Sequence, residues 1–86
     1  MVEVRIERGA RGLTALLSRA LALDAQASAR IQEVGEGQLD VFVTTPFDAI
    51  ASRRTSGSTT HPGATVRARA MLDALKSGAT EVGAAR

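Results

Sequence analysis

Val2, Val4 and Ile6 alternate with Glu3, Arg5 and Glu7. This period-two pattern predicts a first strand with one buried face and one charged face. Gly9-Ala10-Arg11-Gly12 interrupts it, and the period then changes. Leu13, Leu16, Leu17, Ala20 and Leu21 recur at helical spacing while Thr14, Ser18 and Arg19 fall outside the stripe, so an amphipathic helix follows, ending near Asp24. Residues 28–34 and 39–44 flank Gly35-Glu36-Gly37, a glycine spacing that predicts a hairpin. In its second arm Leu39, Val41 and Val43 share one face, and Gln38, Asp40, Phe42 and Thr44 share the other. The first arm is less regular: Ala29 and Ile31 point inward, and Glu33 breaks the pattern before the turn.

Thr45-Pro46-Phe47-Asp48 suits either a helix start, with Pro at the first helical position, or a type I turn. Residues 46–55 therefore read as strand or short helix; their brevity and the meander they would extend favour the strand. Residues 56–64 have loop composition throughout. Val66, Ala70, Met71, Ala74 and Leu75 then predict a second amphipathic helix, with Gly78 where a C-terminal capping glycine belongs. The order is β-α-β-β-(β)-α. It predicts an α+β domain over residues 1–78, a two-layer sandwich with both helices on one face of a mainly antiparallel sheet. Residues 79–86 read as a flexible tail or a linker.

Size and composition narrow the possibilities. A chain of 86 residues holds one domain with a modest core. There is no cysteine and a single histidine, so neither a disulfide nor a structural zinc is expected to stabilise it; self-association is the remaining common route. No apolar run is long enough to span a membrane, and the acidic start lacks the apolar core of a secretory signal, so the expected setting is cytoplasmic. The pI of about 10.4 overstates the basic character. Ten of the eleven basic residues are Arg, the net charge is only +2, and no Tyr or Cys titrates in between. Residues 1–51 carry five Arg and seven acids, a balance of −2; residues 52–86 carry five Arg and one Lys against two acids, a balance of +4.

On the outward face the alternation sets Phe42, one of two aromatic residues in the chain, among Glu3, Arg5, Glu7, Arg30 and Asp40. Such an aromatic either anchors an interface or lies beneath the loop at 56–63. Phe42, Arg5, Arg30 and Asp40 are the candidate interface residues. A second set could hold an anion: Arg11 at the start of the first helix, where free backbone N–H groups attract negative charge, and Arg53, Arg54, Arg67 and Arg69. The glycines around Arg11 match neither a dinucleotide fingerprint nor a phosphate loop, so an ordinary strand-to-helix turn is the simpler reading. Nucleic-acid binding is disfavoured, because one aromatic is too few for base stacking on a sheet. His61 has hydroxyl neighbours but no acid nearby to orient it, in a loop too pliant for a catalytic base. No metal site, cofactor or catalytic residue is expected.

Residues 41–54, Thr65-Val66-Arg67-Ala68 and Met71-Leu72-Asp73-Ala74-Leu75 resemble small uncharacterised proteins of high-GC Gram-positive bacteria. The resemblance implies a bacterial setting and carries no activity. The expected function is a non-enzymatic interaction module, homodimeric through the open sheet face or an edge strand, with an unidentified protein as the other possible partner. The alternative is an anion or nucleic-acid binder using Arg53, Arg54, Arg67 and Arg69.

Overall fold

The computed structural model describes residues 2–45 and 49–83. In chain order the elements are β1 (Val2–Arg8), α1 (Ala10–Leu23), β2 (Ser28–Gly35), β3 (Gln38–Thr44), β4 (Ala49–Thr59), β5 (Thr65–Arg67), α2 (Ala68–Ser77) and β6 (Glu81–Val82). The six strands form one antiparallel sheet, ordered β5-β2-β3-β4-β1-β6 and curved until it is nearly barrel-like. The fold is a mixed α+β domain. No helix among the described residues is long and apolar enough to cross a membrane.

The core follows the sequence periods. Val2 and Val4 of β1, Ala29 and Ile31 of β2, and Leu39, Val41 and Val43 of β3 are buried, as are Leu13, Leu16, Leu17 and Ala20 of α1 and Met71, Leu72 and Ala74 of α2. All belong to one cluster. α1 packs against α2, β3 and β4, and α2 against β2, β5 and β6. Gly9 takes the left-handed conformation, φ 90°, that turns β1 into α1.

Three expectations need correction. The strand favoured over helix for residues 46–55 is present from Ala49, but it runs on to Thr59, through half of the stretch expected as loop. Its inward positions there are Thr55 and Gly57, both buried, so alternation exists without an apolar signal. Val66 belongs to β5, not to the second helix; it lies opposite Ala29 of β2. Glu81 and Val82, expected in a tail or linker, form β6 beside β1, with Val82 buried opposite Val2. On β1 an irregularity between Ile6 and Arg8 sets Arg8, rather than Glu7, opposite Ser56. The turn or helix start expected at Pro46, Phe47 and Asp48 lies outside the described residues.

Candidate interaction face

Residues that alternate with the core positions line the opposite surface of the sheet. Register aligns them in rows: Thr65, Arg30, Phe42 and Ser52 lie side by side across β5, β2, β3 and β4, and Gln32, Asp40 and Arg54 form the next row. Phe42 is 39% exposed. It floors an open concavity of about 430 Å³ whose other walls are Arg30, Gln32, Thr44 and Thr65. The expectation that Phe42 faces outward is met, and the walls come from strands, with no residue of the loop after β4 among them. With the Gln32 amide oriented to suit its neighbours, its Oε1 accepts from Arg30 Nε at 3.1 Å and Nη2 at 3.2 Å. The guanidinium is thereby held against Gln32.

Asp40 and Arg54 form the strongest polar contact of the face. Arg54 Nε donates to Asp40 Oδ1 at 2.8 Å, and Nη2 donates to Oδ2 at 3.1 Å, the two-pronged geometry that suits a guanidinium and a carboxylate. The hydrogen bonds from Arg54 hold the Asp40 carboxyl below its ordinary value of 3.8; loss of solvent opposes them, and the Arg54 charge adds a smaller lowering. A carboxyl depressed in the folded state stabilises the fold above its unfolded pKa and ceases to do so as pH falls through its folded value. Wild type should therefore lose slightly more stability than Asp40→Asn between pH 6 and pH 3, as read by urea denaturation at both. Equal losses would show that the pair contributes nothing. Arg5 is more loosely held, with Nε 3.5 Å from Glu3 Oε1 on an exposed stretch of β1.

The basic residues do not converge. Arg53 and Arg54 are consecutive in a strand, so their side chains leave opposite faces of the sheet. Arg53 reaches the first turn of α1: a Cβ added at Gly12 would sit 3.4 Å from its Nε. Arg11 belongs to the same turn. Arg67 stands at the junction of β5 and α2, and Arg69 lines a groove between the helices. Arg54 is committed to Asp40. The proposed anion set is thus scattered over three surfaces, and nothing gathers Arg53, Arg54, Arg67 and Arg69 about a common point.

His61 is in contact with one of the hydroxyls adjacent to it in the chain. Its Nδ1 lies 2.7 Å from Thr60 Oγ1, while that hydroxyl also accepts the Glu3 backbone N–H at 3.0 Å. The second bond ties the hydroxyl to the sheet. Among the described residues no cluster of three or more His, Asp or Glu could hold a metal ion.

Thr44 stands on the face of Phe42, as its alternation predicts, whereas Gln32 and Thr65 escaped the sequence reading. Gln32 shares the parity of Arg30, so alternation could have found it. Thr65 could not be found, because β5 was read as the approach to a helix.

No curated protein and no solved structure is found to match the chain. One family model does match, over residues 2–85. With nearly the whole chain covered, the protein belongs to the DUF8010 family, a domain of unknown function.

Proposed function

We propose that this domain is a non-enzymatic interaction module of the bacterial cytoplasm that forms a homodimer through its outer sheet face, with Phe42 as the anchor. The observation that carries the reading is the 39% exposure of Phe42 within a concavity bounded by Arg30, Gln32, Thr44 and Thr65. An aromatic in a partly desolvated recess with an Arg at its side is the composition that concentrates binding energy at interfaces. In this reading both helices lie against the inner face, which the contact of α1 with α2 supports, and the outer face is left for a twin.

The edges suit the role less well. β5 has three residues and β6 two, and edges this short are how sheets avoid pairing with one another. The face lies within the molecule's own outline, 31 by 22 Å in its two longest directions, so a standard interface of ~800 Å² per partner would take in nearly all of it. Arg5, Arg30 and the Asp40–Arg54 pair form its polar surround.

Wild type should sediment above monomer mass at tens of micromolar, and Phe42→Glu should shift it to monomer by placing an unpaired charge at the centre of the contact. A wild-type monomer at high micromolar concentration, with no change on Phe42→Glu, overturns the reading. Binding of DNA or RNA that falls steeply with salt would instead favour the anion reading.

A further inference from the structure

Among the described residues, Phe42 is one of three large apolar side chains that stay exposed. The others are Leu23, 73% exposed at the end of α1, and Val34, 44% exposed near the tip of the β2–β3 hairpin. Val34 lies on one of two surfaces of contrasting shape and charge. The hairpin tip is a projection that reads Glu33-Val34-Gly35-Glu36-Gly37, all of it exposed. An apolar side chain is flanked by two carboxylates, and the turn is closed by the positive φ of Gly37, 74°. Neither carboxylate takes part in either ion pair found among the described residues.

The other surface is a groove of about 270 Å³ between α1 and α2, lined by Ser18, Leu21, Ala22, Arg69, Leu72 and Lys76. Leu21, Ala22 and Leu72 are its apolar members. Arg69, Leu72 and Lys76 occupy successive turns of one side of α2, so the two cations bracket Leu72. Neither forms an ion pair among the described residues. Asp73 lies on the same helix one position round from Leu72, and Arg19 is exposed on α1 beside Ser18. The groove therefore sets three apolar side chains beside two cations, and the tip sets one apolar side chain between two acids in the chain.

We propose that the β2–β3 hairpin tip of one copy docks in the α1–α2 groove of another, with Val34 on Leu21, Ala22 and Leu72, and Glu33 and Glu36 facing Arg69 and Lys76. Two different patches meet, so the contact is head-to-tail and propagates unless it closes into a ring. It is independent of the outer face. A tip of five residues buries far less than a standard interface, so the contact is weak, in the high micromolar range or above, and sensitive to salt.

The test is made in the Phe42→Glu background, so that the outer face plays no part. One variant adds Val34→Asp, which disables the tip and leaves the groove intact. The other adds Arg69→Glu and Lys76→Glu, which disables the groove and leaves the tip intact. The groove variant is labelled with nitrogen-15 and titrated with unlabelled protein. Adding the tip variant should shift the amide signals of Val34, Gly35 and Gly37; adding unlabelled groove variant should leave them in place. Restoring self-association by combining Glu33→Lys and Glu36→Lys with Arg69→Glu and Lys76→Glu in one chain would support the same pairing. Tip amides that stay unmoved at millimolar concentration, with all variants folded by circular dichroism, overturn it. Because Phe42 is already replaced, a failure here says nothing against the outer-face dimer, and a failure of that dimer says nothing against the docked tip.

Discussion

Gly57→Ala should cost the fold roughly 3 kcal/mol or more, at the upper end of the usual penalty for overpacking. Gly57 lies in β4 opposite Ile6 of β1. A methyl group there would overlap the Arg5 carbonyl oxygen, and would sit 2.9 Å from that carbonyl carbon and 3.1 Å from the Ile6 Cα. All three neighbours are backbone, so no side chain can rotate aside. The strands would have to part where β1 is already irregular, between Ile6 and Arg8. Parting them would also disturb the bond from Gly57 N–H to the Gly37 carbonyl, 2.9 Å long, which ties β4 to the turn of the β2–β3 hairpin. For a domain of this size each kcal/mol lowers Tm by about 4–8 °C. The melting temperature should fall by more than ~10 °C. A fall of only two or three degrees would mean that β1 and β4 separate far more easily than their register implies.

Two leucines of α1 should give opposite results under the same substitution. Leu17 is 0% exposed and Leu23 is 73% exposed. Leu17→Ala removes buried methyl groups and leaves a void that close-packed neighbours fill only in part, a loss of about 3 kcal/mol. Leu23→Ala removes surface that water already touches, and should change stability by less than ~0.5 kcal/mol. Urea denaturation of the two proteins side by side measures the contrast. Similar losses would mean that the end of α1 packs differently from the arrangement described. The pair also separates two settings of one residue type: Leu17 holds the fold together, whereas Leu23 lies outside the core.

The elements read correctly from sequence are those whose inward residues are apolar. β1, β3 and both helices carry Val, Leu, Ile, Met or Ala at the buried positions, and period alone places them. β4 was truncated because Thr55 and Gly57 occupy its inward sites: Thr55 is only 3% exposed, yet neither residue registers as hydrophobic. β5 was absorbed into the helix because Val66 stands four residues before Ala70, a spacing that fits a helix as well as a three-residue strand fits Val66 alone. β6 has one buried residue, Val82, too short a signal for any period. The outward face was legible at Phe42, Arg5, Arg30 and Asp40, since alternation assigns a side without knowledge of strand order. The Asp40–Arg54 pair was not, because it depends on which residues of β3 and β4 lie opposite. The supposed basic region failed for the converse reason: adjacency in the chain suggested proximity for Arg53 and Arg54, and the strand's pleat sends them apart.

The place of β1 in the sheet bears on how the chain reaches its native state. β1 lies between β4 and β6, and Val4 and Val2 find their partners Thr59 and Val82 55 and 80 residues later. The β2–β3 hairpin pairs neighbours and can close as soon as its two arms are made. β1 must wait, its inward valines unsheltered, until β4 and β6 follow. Pairings so distant in sequence are slow to form, so β1 is the part of this domain that a nascent-chain chaperone would have to guard longest.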